Sequence, residues 1–219
     1  MQIVIGNVLA PDDVTLIRAT LAQATFEDGR ATAGFAARLV KNNRQATNDR
    51  KVDTVRKLTE DRILANDVFA MAVRPKTLTA VMFSRYEGGM HYGTHVDDAL
   101  MHGVRTDVSF TLFLSEPESY DGGELVIESA SGEDAVKLAA GSLVAYSSTA
   151  LHHVTPVTRG ERLAAVGWAR SYVRDGAQRE MLFDLDTARR QLFAREGKSA
   201  EYDLISKSLA NLLRMWVED

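Results

Sequence analysis

The residues best placed to do chemistry are His95 and Asp97, which close the run Tyr86–Asp97, YEGGMHYGTHVD. In an extended chain, side chains two positions apart point to the same side. One imidazole and one carboxylate can therefore reach a single metal ion, which they leave short of ligands. Two histidines and one carboxylate on one face of an octahedron, with the other positions open, form the donor set of non-haem Fe(II) oxygenation sites. The second histidine must come from His91, His102, His152 or His153. Only His152 and His153 lie in a late strand-like run, LHHVTPV. Adjacent strand residues face opposite ways, so at most one of them points inward. Their apolar neighbours do not decide which, since Val154 shares a face with His152 and Val157 with His153. Ten residues beyond His152, Arg162 opens the next strand-like run. A fixed guanidinium beside a metal is what a dicarboxylate co-substrate requires, because its fork takes a carboxylate bidentately. If the two runs form a hairpin around Thr158–Glu161, His152 and Arg162 share an interior only when the connection has an odd length or a bulge.

The elements that must position these residues follow from hydrophobic period and turn chemistry. Gln2–Leu9 is apolar enough for a short strand, and Pro11-Asp12-Asp13 opens a helix carrying Val14, Ile17 and Leu21 on one face. The stretch 31–48 is small and polar, a mixture of loop and short strand. Asp49–Ala70 has the spacing of one long helix ended by Pro75. From Thr77 the period becomes strand-like. Leu78–Ser84, Arg105–Ser115, Gly122–Glu128, Val136–Leu138, Ser142–Tyr146, Leu151–Val157 and Leu163–Tyr172 give about seven or eight strands with recurrent turns. That pattern suits a sandwich or barrel. Helical period returns at Met181–Arg195 and Tyr202–Val217. The expected organisation is N-terminal α/β support over 1–76, a β core over 77–175 and a C-terminal helical extension over 176–219.

Composition excludes several classes. There is no cysteine, so disulfides, zinc–thiolate sites, iron–sulfur clusters and cysteine nucleophiles are ruled out. A net charge of −4 offers no electrostatic case for nucleic acid. The start MQIVIGNVLAPDD lacks the features of a signal peptide, and no run of 18 apolar residues exists. The expectation is a soluble, cytoplasmic protein with no nucleic-acid or membrane partner.

Read together, Tyr86-x-x-Gly89-x-x-Tyr92-x-x-His95-x-Asp97 resembles the motif of the prolyl 4-hydroxylase-like Fe(II)/2-oxoglutarate dioxygenases. Asp121-Gly122-Gly123-Glu124-Leu125, Ala140-Gly141-Ser142-Leu143, Leu151–Val157 and Gly160-Glu161-Arg162 continue the likeness in order. Thr32-Ala33-Gly34, Val40-Lys41-Asn42-Asn43 and Ser171–Asp175 extend it towards the bacterial PKHD-type hydroxylases, across nearly the whole chain.

The resemblance implies a double-stranded β-helix (jelly roll) of mainly β class with flanking helices. It implies Fe(II) held by His95, Asp97 and His152, because the family's ligand precedes Val-x-Pro-Val by one position. His153 departs from the family, which usually has another residue there, often arginine. Arg162 would bind the distal carboxylate of 2-oxoglutarate, with the Tyr86 phenol beside it. The implied reaction hydroxylates a C–H bond using O₂, releases succinate and CO₂, and is served by ascorbate. The substrate is left open between peptidyl proline or lysine and a small molecule such as a siderophore. Each residue also has a plainer reading: Arg162 as a surface strand-end arginine, Tyr86 and Tyr92 as core packing, and His91, His102 and Asp98 as solvated loop residues. The C-terminal apolar stripe (Leu209, Leu212, Leu213, Trp216) packs on the barrel or forms a homo-oligomer surface. Other readings are a cupin-like metal protein without oxygenase activity, or an inactive binding module on the same fold. The co-substrate clamp at Arg162 separates the first from a dioxygenase, and the intact set His95, Asp97, His152 and Arg162 argues against the second.

Overall fold

The computed structural model describes residues 1–218. Two antiparallel sheets face each other. The larger has eight strands and runs β1 (Ile3–Ile5), β13 (Leu143–Ser147), β10 (Val108–Phe113), β15 (Glu161–Ser171), β6 (Met82–Glu87), β4 (Arg44–Ala46) and β2 (Phe26–Asp28), with β5 (Pro75–Leu78) also paired to β15. The smaller runs β12 (Gly132–Val136), β11 (Leu125–Ser129), β14 (His152–Val154), β7 (His91–His95) and β3 (Lys41–Asn42). A two-stranded ribbon of β8 (Leu100–Met101) and β9 (Val104–Arg105) stands apart. The arrangement is a double-stranded β-helix with helices on one side. Residues 1–76 supply four of these strands as well as helices.

One strand explains how the layers separate. In β10, VSFTLF, all six residues are buried. Val108, Phe110 and Leu112 join the core beneath the helices, while Phe113 joins the core between the sheets. Strand alternation then puts Ser109 and Thr111 on the inter-sheet side with Phe113. Polar side chains on an inner face are costly unless bonded, so this face is marked as a site. On the other side pack α1 (Pro11–Ala22), α2 (Arg50–Ala65) and α3 (Asp67–Val73). They contribute Ile17, Leu21, Val52, Ile63 and Phe69, and Phe69 meets Phe110 edge-on at 5.7 Å.

The expected single helix over Asp49–Ala70 is two helices. Asn66 leaves the helical region at φ −76°, ψ 118°, and its side chain caps Phe69 N. A capping side chain in an otherwise periodic run competes with the helix backbone, and here it wins. The expected strand Leu78–Ser84 likewise divides between β5 and β6. The C-terminal helices α4 (Gly176–Glu196) and α5 (Ala200–Trp216) pack on each other through Leu182, Leu209 and Trp216, and on Val173 after β15.

The expected hairpin between the runs of His152 and Arg162 does not form. β14 pairs with β11 and β7, whereas β15 pairs with β10, β6 and β5. The chain between them crosses from one sheet to the other, so the odd-length rule has no ladder to act on. The crossing is held at Asp121-Gly122-Gly123. Gly122 has φ +73°, and a Cβ there would sit 1.9 Å from the Pro156 carbonyl oxygen. Gly122→Ala is therefore expected to cost about 2–4 kcal/mol, from left-handed strain and a backbone clash. A fall in the urea midpoint at unchanged slope would show it, and an unchanged midpoint would refute it.

Candidate metal and co-substrate site

His152 on β14 and His95 on β7 are direct cross-strand partners, with ring centroids 4.3 Å apart. The register slips between this pair and Val154–Tyr92, so β7 carries an extra residue there. Tyr92 and His95 are three apart and would face opposite ways on a regular strand. The bulge turns both to the interior, where their rings stack at 3.6 Å. Gly93 lies in the bulge, and a Cβ on it would meet Val40 Cβ at 2.8 Å.

Both imidazoles are oriented from behind. His95 Nδ1 lies 2.8 Å from the Gly93 carbonyl and His152 Nδ1 lies 3.1 Å from the Ala150 carbonyl. A carbonyl only accepts, so each Nδ1 carries a proton and each ring is turned with Nε2 towards the cavity. Those Nε2 atoms point at opposite oxygens of Asp97, at 4.0 and 3.7 Å. The donor atoms of His95, Asp97 and His152 all lie within 4.8 Å of one another. Burial, then the His152 ring alongside, hold the His95 pKa down to about 4, so this imidazole is neutral at neutral pH. Two imidazole nitrogens and one carboxylate converging in a buried pocket fit a divalent first-row metal.

Asp97 is held across the sandwich. Ser109 Oγ on β10 donates to Asp97 Oδ2 at 2.6 Å and lies 2.8 Å from Ser148 Oγ. An inward polar residue of β10 thus orients the carboxylate. Partners of metal ligands typically cost about 10–100-fold in metal affinity when removed. Ser109→Ala is expected to weaken Fe(II) binding in that range without unfolding the protein. An anaerobic Fe(II) titration matching wild type would refute the role.

These residues line a cavity of about 730 Å³ including its mouth, together with Tyr86, Tyr92, Thr111, Tyr146 and Trp168. Asp98, Met101 and Trp168 continue into a wider funnel that His102 also lines. Tyr92 and Tyr86 are thus walls of the cavity rather than core packing alone. Asp98 and His102 sit at its approach.

Arg162 is 1% exposed, which excludes the surface strand-end reading. It is the cross-strand partner of Tyr86 and lies behind it, its guanidinium 5.2 Å from the Tyr86 ring and 5.3 Å from that of Phe113. Among the described residues, its Nε and Nη2 have no hydrogen-bond partner. Burial raises the Tyr86, Tyr120 and Tyr146 phenols above their ordinary pKa, and Arg162 opposes the rise in each. A buried guanidinium with idle donors behind a metal-shaped cavity fits a carboxylate ligand.

His153 faces the other way, on the outer side of the smaller sheet. It lies opposite Val126 and diagonal to Glu128, which faces Glu133. His91 is not brought to the cavity; its Nδ1 lies 3.2 Å from the Gly89 carbonyl in an exposed setting. Sequence reasoning missed Ser109, Tyr120 and Tyr146 as site residues, and gave Lys41 no role. The alternation of β10 was the available signal for Ser109. Nothing local marked Tyr146, whose importance comes from the 5.1 Å approach to His152.

Comparison with known proteins follows the same lines. A family model described as 2OG-Fe(II) oxygenase superfamily matches residues 81–170, and one described as PKHD-type hydroxylase C-terminal domain matches 176–218. A PKHD-type hydroxylase from Picosynechococcus sp. is 52% identical over 217 residues, 98% of each chain. One from Maricaulis maris is 52% identical over 219 residues, 100% of each chain. Among solved structures, a Pseudomonas putida prolyl-4-hydroxylase superposes with a TM-score of 0.55 at 24% identity, covering 78% of this chain and 92% of its own.

Proposed function

The chain belongs to the PKHD-type hydroxylases of the 2OG-Fe(II) oxygenase superfamily, and from that premise we propose that His95, Asp97 and His152 hold its iron and Arg162 its 2-oxoglutarate. It is a dioxygenase that hydroxylates a C–H bond. Bound at the site, Fe(II) with 2-oxoglutarate and O₂ supplies the oxidative decarboxylation that yields succinate and CO₂ and inserts one oxygen atom into the substrate. The observation that carries the assignment is the convergence of two imidazole Nε2 atoms on Asp97 inside one cavity.

The protein's own residues bind, orient and exclude water. The Gly93 and Ala150 carbonyls fix the imidazoles, and Ser109 fixes the carboxylate. Arg162 takes the distal carboxylate of 2-oxoglutarate, with the Tyr86 and Tyr120 phenols near it. Tyr92, stacked on His95, and Trp168 close the substrate side. Ascorbate as reductant, a cytoplasmic setting and a homo-oligomer through α4 and α5 belong to the same reading. The last is supported by the exposed Phe193, Leu204 and Met215. Among the described residues, no helix is long and apolar enough to cross a membrane.

Anaerobic addition of Fe(II) and then 2-oxoglutarate is expected to produce a visible metal-to-ligand absorption band. Aerobic incubation should release succinate, and an untargeted search of bacterial extract for a product heavier by one oxygen atom names the substrate. Absence of the band from pure protein would overturn the assignment.

A further inference from the structure

Lys41 is the one buried cation of the cavity wall that neither the iron site nor the co-substrate clamp employs. It is 7% exposed, and lysine is almost never this buried without a paired carboxylate. It stands on β3 opposite Tyr92. Among the described residues its ammonium has no ion-pair partner: it donates to Thr32 Oγ1 at 3.1 Å and lies 5.0 Å from the centre of the Tyr92 ring, which in turn stacks on His95. The two carboxylates whose field reaches it are Asp97 and Asp28. Asp28 is engaged by Arg30 through two oxygens, and Asp97 by Ser109 and the imidazoles. Burial drives the Lys41 pKa down to about 8 despite both.

We propose that Lys41 is the seat of a carboxylate on the substrate, so that the compound hydroxylated is an organic acid. The inference rests on the site assignment above. With Arg162 holding one end of 2-oxoglutarate and the iron the other, no co-substrate charge is left for Lys41. The counter-charge must arrive with the substrate, through the funnel that Thr32, Gly34 and Gln45 line beside it. A compact ammonium suits this task, since it takes a single oxygen without imposing the planar fork of arginine.

A buried, unpaired charge lowers stability, so removing it relieves the fold. Lys41→Met is expected to melt at or above the temperature of wild type, and its Fe(II)–2-oxoglutarate band is expected to be unchanged. A merely structural lysine would melt lower. The binding probe is a bacterial small-molecule extract split by anion exchange, added to Zn(II)- and 2-oxoglutarate-loaded protein so that nothing turns over. The retained acids should raise the wild-type melting temperature, with at least about thirtyfold more extract needed for Lys41→Met, the loss expected of one charge-assisted hydrogen bond. Filtration of the retained fraction by size separates free acids from acidic peptides. A shift from the unretained fraction alone, or an equal shift in Lys41→Met, overturns the proposal. A wild-type protein without the absorption band would instead show that the underlying site assignment had failed.

Discussion

His152→Ala is expected to abolish both the metal–2-oxoglutarate band and succinate formation, while His153→Ala, one residue along, keeps both. The difference is one of strand face. His152 is 6% exposed at its side chain and aims Nε2 at Asp97. His153 points out of the smaller sheet towards Glu128 and Glu133, with donor atoms within 4.8 Å. Loss of a direct ligand should exceed the roughly 100-fold upper range for outer partners. The readout matters, because two carboxylates and an imidazole on the outer face give added iron somewhere to adhere. Total iron content would blur the contrast. The absorption band requires metal and 2-oxoglutarate in one place and does not. If His153→Ala lost the band and His152→Ala kept it, the ligand assignment would be inverted.

Arg162→Leu is expected to raise the KM for 2-oxoglutarate by about 100–1000-fold, the 3–4 kcal/mol of a buried charge-assisted pair losing one member. At saturating 2-oxoglutarate, kcat should change little, because the clamp binds ground and transition states alike. The protein should remain folded. Arg162 has two unpartnered nitrogens in a wholly buried setting, and leucine lifts that desolvation cost without leaving a large void. Equal 2-oxoglutarate affinity in Arg162→Leu and wild type would sink the clamp.

How much could be read beforehand depended on whether the signal was local. The helix spanning α1, the glycine turns, the C-terminal helices and the His95–Asp97 pair all rest on spacings of a few residues, which periodicity and turn chemistry report directly. The jelly roll itself came from motif resemblance and not from the strand pattern. The choice between His152 and His153 was closed to strand logic because their flanking valines balance. The break at Asn66 was missed because periodicity weighs apolar spacing and not one amide's capping bond. The hairpin was expected because neighbouring strands usually pair. Here the chain spends the interval changing sheets, which depends on contacts between Asp121–Gly123 and Pro156–Arg159 that no short window contains. Ser109 carried a readable sign, one of two hydroxyls at alternate positions of an otherwise apolar strand.

The change of sheet between β14 and β15 has a consequence for selectivity. His152 stands on one leaf of the sandwich and Arg162 on the other, and facing sheets keep a spacing of about 10 Å. Under the proposed assignment, the gap between metal and guanidinium is a gauge whose jaws are the two sheets. A 2-oxo diacid one carbon shorter or longer than 2-oxoglutarate is then expected to bind more weakly, as competition against 2-oxoglutarate would show. Phe113 and Val157 belong to the apolar core that keeps the two leaves apart.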